Sequence, residues 1–328
     1  MTSLFEKCKN IIDKNERFVV TSHVNPDGDS IGSEVALALF LKKRGKQVSV
    51  INHSETPPNY TFLDPKNEIL HFNPNLHAEK VRNADAIFIV DTNQLSRLRS
   101  MEPYVRESKA VRICIDHHLD KDDIADLYLI DEAATATGEI IYHLFQYLDA
   151  DEIDEKIARA LYTAIMTDTG SFRFPKTDPE THQIVAHLIR SGADPPEIFQ
   201  EVYEKTDLSA VQLLGKALSD LKTAHDGRVA YMVITQQMLK ETGTKEYQTE
   251  SFIDYTMRIG RVQIGLLFNE LPDGVKISFR SKGEIPVNQL AKEFGGNGHL
   301  NAAGARLFGK KLDDTIHAVL ERSHVYLK

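Results

Sequence analysis

The sequence predicts an α/β protein: a doubly wound, mainly parallel sheet domain, followed by a smaller α+β C-terminal domain on a helical linker. Three observations predict it. Runs such as Ala86–Val90 (AIFIV) and Val111–Ile115 (VRICI) are short, rich in β-branched residues and almost unbroken in apolar character. Such runs suit strands covered on both faces. They alternate with segments of helical period, which is the pattern of a doubly wound sheet. From Arg228 onward the pattern changes to strands that follow one another closely. At 328 residues the chain is long enough for two domains, divided here into 1–194, a linker at 195–225, and 226–328.

Taken in order, residues 3–14 read as an amphipathic helix, Arg17–Ser22 as a strand and His23–Asp29 as a Pro/Gly turn. Ser30–Arg44 is a strongly apolar helix with Lys and Arg in its last turn and Gly45 behind it as a stop signal. Gln47–Ile51 is a second strand. Residues 52–83 are mixed, with Pro57, Pro58, Pro65 and Pro74 breaking any long element. After the two apolar strands, helices are expected at Thr135–Leu148, Ile153–Met166 and Asp178–Arg190. Within the linker, Leu208–Lys222 is the clearest helix. Strands follow at Val229–Thr235, Val262–Asn269 and Val275–Ser281, with helices near 286–294 and 312–323. Leu271-Pro272-Asp273-Gly274 fits a hairpin turn between two of these strands.

Net charge is -9. Long duplex nucleic acid calls for a broad basic face, so such a partner is not expected. A short anionic ligand needs only a local positive site, which bound metals can supply. Cys8 and Cys114 form no disulfide framework or zinc motif, and Cys114 sits in an apolar strand. The charged N-terminus does not read as a signal peptide, and no run approaches a membrane span. A cytoplasmic location without membrane contact is the default expectation. The oligomeric state stays open, a homodimer included.

The chemistry concentrates where strands stop. Asp116-His117-His118 ends one strand, Asp91 follows another, and His23-Val24-Asn25-Pro26-Asp27-Gly28-Asp29 follows the first. In a parallel sheet these ends share one rim, where such folds place ligands. Asp168, in Thr167-Asp168-Thr169-Gly170, joins the set from a helix end. Each motif also has a plain structural reading: an Asn-Pro-Asp-Gly turn with an N-cap at Asp29 or Ser30, helix-end caps at Asp91 and Asp168, a polar loop at Asp116–His118. Taken together they read as one metal site. Mixed imidazole and carboxylate donors suit manganese or magnesium and tolerate zinc or cobalt. A pair of metals bridged by one carboxylate, with Asp91 the natural bridge, suits phosphoryl chemistry. A second cluster is Phe294-Gly295-Gly296-Asn297-Gly298-His299, followed by Ala302-Ala303-Gly304-Ala305-Arg306. Its glycines let backbone N–H groups approach an anion, and His299 adds a donor. Arg280 and Ser281, at a strand end, offer a guanidinium fork and a hydroxyl for phosphate. The alternative is a Gly-rich turn with a surface His and Arg. The remaining histidines, His53 among them, fall in no ligand spacing.

These motifs resemble those of the DHH phosphoesterase superfamily: His23-x3-Asp27-x-Asp29, Asp91, Asp116-His117-His118 and Asp168. The Gly-Gly-Asn-Gly-His-x3-Ala-Ala-Gly segment resembles the C-terminal DHH-associated domain of its nucleotide-cleaving branch. The resemblance covers nearly the whole chain and looks strongest to the small bacterial oligoribonucleases that also act as pAp phosphatases. It implies hydrolysis of short single-stranded RNA and of 3′-phosphoadenosine 5′-phosphate with two Mn2+, for which Mg2+ or Co2+ could substitute. His23, Asp27 and Asp91 would hold one metal; Asp29, Asp91, His117 and Asp168 the other. His118 would contact phosphate or support the site, and Asp116 would orient the histidines. Arg280 and His299 would grip substrate phosphate. Asn297 stands where the family commonly has glycine. Alternatives within this resemblance are a cyclic or linear dinucleotide phosphodiesterase, a RecJ-type exonuclease, and a non-catalytic nucleotide sensor. A family II pyrophosphatase lacks the Gly-rich signature.

Overall fold

In the computed structural model, which describes residues 1–118 and 122–328, the chain divides into two units, Met1–Lys205 and Thr206–Lys328. The first unit contains strands β1 (Arg17–Thr21), β2 (Gln47–Asn52), β3 (Ile69–His71), β4 (Ala86–Val90), β5 (Val111–Asp116) and β6 (Leu127–Ile130). Its helices are α1 (Thr2–Lys14), α2 (Gly28–Lys43), α3 (Pro74–Arg82), α4 (Glu102–Glu107), α5 (Thr137–Asp149), α6 (Glu155–Asp168), α7 (Pro179–Arg190) and α8 (Pro195–Tyr203). The strand order is β3-β2-β1-β4-β5-β6, and every neighbouring pair is parallel. The chain winds outward from β1 to β3, then returns to β4 and winds the other way. The reversal leaves a crevice between the carboxyl ends of β1 and β4.

Both faces of this sheet are buried, which is why its strands are apolar at nearly every position. Phe18, Val20, Phe88, Val90, Ile113 and Ile115 join one core with α2, α5 and α6. The alternate residues Val19, Ile87, Ile89 and Cys114 join a second core on the opposite face. Helix α2 is buried along most of its length because it is pressed against α6 through small residues. A Cβ at Gly28 would lie 2.4 Å from Thr167 Oγ1, and one at Gly32 2.5 Å from the Ala160 carbonyl oxygen.

Elements depart from expectation where a proline or a short run misleads. Residues 52–83 hold β3 and α3. Pro74 starts α3, where its missing N–H costs nothing, and Asn73 caps the helix by accepting from Asn75 N at 3.0 Å. Strand β6 has only four residues and carries no clear pattern. Helix α6 runs through Asp168 instead of ending before it. The expected linker, 195–225, is split: α8 packs in the first unit, and the second unit begins at Thr206.

The second unit holds α9 (Leu208–Ser219), β7 (Lys222–Ala224), β8 (Val229–Ile234), α10 (Gln236–Thr242), β9 (Ile264–Leu271), β10 (Gly274–Ser281), α11 (Val287–Glu293), β11 (Asn297–His299), β12 (Ala302–Phe308) and α12 (Leu312–Ser323). Its mixed sheet runs β11-β12-β10-β9-β8-β7, with β8 and β9 parallel and the other pairs antiparallel. The expected hairpin is there: Gly274 pairs with Leu271. Among the described residues no helix is long and apolar enough to cross a membrane.

Candidate metal centre

Four segments of the first unit converge on the crevice. His23 follows β1, and Asp27 caps α2 by accepting from Ser30 N at 3.1 Å. Asp29 sits in the first turn of α2. Asp91 follows β4 directly, with a left-handed φ of 59°. Asp116 ends β5, so His117 and His118 enter the crevice from its tip, and Asp168 is the last residue of α6. The close α2–α6 packing is what brings Asp29 and Asp168 together.

The two buried histidines are aimed by carbonyl groups. His23 Nδ1 lies 2.8 Å from Val24 O, so it donates there and turns Nε2 inward. That Nε2 is 3.2 Å from Asp91 Oδ2 and 3.9 Å from Asp27 Oδ2. His117 Nδ1 lies 3.2 Å from Ala134 O. Its Nε2 is 3.3 Å from Asp168 Oδ2 and 3.8 Å from both Asp29 Oδ2 and Asp91 Oδ1. Asp91 therefore presents one oxygen to His23 and the other to His117. Its carboxylate is fixed by Ser30 Oγ, which donates at 2.6 Å, and by Thr137 Oγ1, which donates at 3.2 Å. Asp29 is held by the N-terminus of α5, accepting from Thr137 N at 2.7 Å and Gly138 N at 2.9 Å. Asp116 Oδ1 accepts from the backbone N–H of His117 at 2.8 Å and from His118 Nδ1 at 2.6 Å. It thus orients both histidines from behind.

The electrostatics of the cluster favour binding of positive charge. Burial, reinforced by the charges of Asp91, Asp168 and Asp27, holds Asp29 well above the usual carboxylate range. Burial, opposed by the charge of His117 and aided by those of Asp27 and Asp91, pushes Asp168 up to about 6. Asp91 goes the other way: burial works against its charge, but the hydrogen bond to His23 and the charges of His23, His118 and His117 hold it well below the usual range. A crowd of buried carboxylates reclaims protons when nothing else neutralises it. The donor set fits a divalent cation of the manganese or magnesium kind at two places. His23, Asp27 and Asp91 offer three mutually close ligand atoms, and Asp29, His117 and Asp168 offer three more. Asp27 is the most open of these to solvent, its side chain 57% exposed against 23% for Asp168.

Apart from His118, the residues expected to bind substrate lie in the second unit. Arg280 is half-buried on β10, with Nη1 donating to Phe279 O at 3.1 Å and Nε 3.6 Å from Asp254 Oδ1. Ser281 is engaged internally: its Oγ donates to Ile285 O at 2.6 Å and accepts from Asn301 Nδ2 at 2.9 Å. The Gly-rich segment is an edge hairpin, with Asn297, Gly298 and His299 of β11 paired to Gly304, Ala303 and Ala302. A Cβ at Gly296 would lie 2.2 Å from Gly304 O. Gly298, at φ 152°, would meet Ala302 O at 2.4 Å. Close strand approach thus accounts for both glycines. Gly295 faces open space at φ 71°, and His299 is exposed. Asn297 Oδ1 accepts from Gly298 N at 2.8 Å.

Sequence reasoning missed the supporting shell: Ser30, the Ala134 carbonyl, Thr137 and Gly138. Gly138 lies inside the helix expected at Thr135–Leu148, where its spacing marks no role. Its N–H serves Asp29, and a Cβ there would lie 2.6 Å from Ala164 Cβ.

Comparison with known proteins adds an independent view. Residues 17–165 match the DHH family, N-terminal domain, and residues 226–323 match the DHHA1 domain. A protein of Thermus thermophilus named bifunctional oligoribonuclease and PAP phosphatase NrnA is 30% identical over 92% of this chain and 87% of its own length. One of the same name from Bacillus subtilis is 28% identical over 93% of this chain and 94% of its own. The crystal structure of an exopolyphosphatase-related protein from Bacteroides fragilis superimposes with a TM-score of 0.93 at 29% identity, covering 98% of this chain and 96% of that one.

Proposed function

The chain belongs to the DHH family, and from that membership we propose that it hydrolyses phosphoric esters: very short RNA to mononucleotides, and 3′-phosphoadenosine 5′-phosphate to AMP. The observation that carries this reading is the placement of Asp91. Its two oxygens face two separate groups of ligand atoms, as a bridging carboxylate requires. His23, Asp27 and Asp91 would hold one cation, and Asp29, Asp91, His117 and Asp168 the other, with manganese the expected ion. When bound, such a pair makes hydroxide available near neutral pH and neutralises charge on phosphate oxygens.

The protein's own groups do the rest. Asp116 and the Val24 and Ala134 carbonyls lock three rings in place, so no reorganisation is needed when substrate arrives. Burial lowers the pKa of His118, but the Asp116 hydrogen bond and the charges of Asp91 and Asp116 prevail and lift it to about 9. Both its nitrogens then carry protons at neutral pH, and Nε2–H is a donor suited to a phosphate oxygen. In the second unit, Arg280 and His299 are the proposed substrate grips, with the backbone around Gly295, Gly296, Asn297 and Gly298 beside them. Ser281 is better read as a support of that strand end. The curated names of the Thermus and Bacillus relatives support the choice of substrates, and the acidic surface supports their shortness, since a long polyanion is repelled.

The test is hydrolysis in manganese with di- to pentanucleotide RNA, a long single-stranded RNA, 3′-phosphoadenosine 5′-phosphate, linear and cyclic di-AMP, and pyrophosphate. Turnover of the short RNA or the bisphosphate, lost in Asp91→Ala, is the expected result. Preference for cyclic di-AMP would move the assignment to a dinucleotide phosphodiesterase. Binding without turnover would make the protein a sensor.

A further inference from the structure

We propose that Arg97, Arg99 and His53 form a second, metal-free phosphate subsite on the sheet rim beside the metal centre, taking a phosphate of the substrate other than the one being cleaved. This rests on the phosphoesterase reading and adds a specificity element to it. His53 directly follows β2, and the two arginines lie in the 3-10 segment Leu95–Met101 that follows β4. Strands β2 and β4 flank β1, so all three residues stand on the rim that carries His23. The loops are tied together there. Val24 N donates to Arg97 O at 2.8 Å, and Asn25 N donates to Ser54 Oγ at 3.0 Å.

Two features mark this cluster, the first of them shared in the first unit by exposed Arg190 at the end of α7. In the first unit Arg17, Arg44, Arg82, Arg106, Arg112 and Arg159 each sit against a carboxylate. Among the described residues, no carboxylate pairs with half-buried Arg97 or exposed Arg99. The backbone is also strained: Arg99 has φ 51° and ψ -116°, and Asn25 and Asp91 nearby have φ 55° and 59°. Non-glycine residues hold such conformations where a site requires them. His53 supplies the third donor. Its Nδ1 accepts from the Ser100 backbone N–H at 3.4 Å and lies 2.7 Å from Ser100 Oγ. A backbone N–H can only donate, so the neutral ring carries its proton on Nε2, directed away from Ser100. Burial, then the charges of His71 and Arg99, hold His53 below its usual pKa, as an electropositive neighbourhood does. Two guanidinium forks and an imidazole N–H match a phosphate dianion or a phosphodiester.

The experiment compares 3′-phosphoadenosine 5′-phosphate with 3′-AMP, which differ only in the second phosphate, on the full-length protein and on Arg99→Gln and Arg97→Gln. The preference for the bisphosphate, taken as the ratio of kcat/KM values, should fall about tenfold or more in each variant. A ratio equal to that of the parent overturns the proposal. A 5′-phosphorylated dinucleotide and its 5′-hydroxyl form, run alongside, show whether the second phosphate belongs to a nucleoside bisphosphate or to an oligonucleotide end. Calorimetric binding of the same pairs separates the two levels of inference. If nothing turns over but Arg99→Gln still loses the binding preference, the hydrolase reading fails and the subsite stands. If the binding preference is unchanged as well, the subsite fails on its own.

Discussion

Asp116 and Glu34 show how much of this site's behaviour rests on residues behind the ligands. Asp116 ends β5 fully buried, and its Oδ1 gathers the backbone of His117 and the ring of His118. Asp116→Asn puts an amide where the backbone N–H groups of His117 and His118 and the His118 ring Nδ1 converge, and outer-shell changes of this kind typically cost about 10–100-fold in metal affinity or activity. Calorimetric titration with manganese and a steady-state assay on one preparation check this, and the variant should stay folded. Glu34, on α2, is fully buried and accepts from Asn52 Nδ2 at 2.8 Å. Burial is the largest influence on it, outweighing the Asn52 and Ser22 contacts, and the charge of Asp91 pushes the same way, so its pKa rises from 4.5 to about 8. A carboxyl with a raised folded-state pKa binds its proton more tightly folded than unfolded. Stability is therefore full below pH 4.5 and declines as pH climbs toward about 8. Glu34→Gln removes that decline. Urea midpoints at pH 5, 7 and 9 should diverge from the parent's in the variant's favour as pH rises. Asp116 was visible as part of a triplet and expected to orient the histidines, and its contacts are with the His117 backbone and the His118 ring. Glu34 could not be read from sequence: it is one more polar residue in an apolar helix until Asn52 is folded against it.

At the scale of elements, the decisive contact is α2 on α6. It is made by glycine and alanine, residues that carry little sequence signal, and it sets the distance between Asp29 and Asp168. Gly32→Ala would place a methyl 2.5 Å from a backbone oxygen of α6, where no side chain can yield. Overpacking of this kind costs about 1–3 kcal/mol. The expected outcome is a lowered denaturation midpoint together with weakened manganese binding, because the helices that part carry ligands. The strands that lead into the candidate ligands were legible because both faces are buried, which leaves apolar runs ending in polar residues. Strands β3 and β6, at the sheet's edges, have three and four residues and could not be seen that way. Helix α3 was hidden by Pro74, read as a breaker where it is a starter. In the second unit the glycines of 295–298 were read as an anion cradle; Gly296 and Gly298 also have a packing reason, the close approach of their segment to β12.

For the whole molecule, what sequence conveyed was direction: three ligand-bearing segments each follow a predicted strand, and a parallel sheet puts such ends on one rim. What it could not convey is which strands are neighbours. The order β3-β2-β1-β4-β5-β6 sets β1 beside β4 and β4 beside β5, so His23, Asp91 and Asp116–His118 come from three adjacent strands with Asp91 in the middle. That position is the one from which a single carboxylate would serve both sides. The most direct measurement is anomalous diffraction from crystals grown with manganese. Two peaks about 3.5–4 Å apart, with Asp91 between them, His23 and Asp27 on one and Asp29, His117 and Asp168 on the other, are the predicted result. A single peak, or two peaks that share no ligand at Asp91, would contradict it.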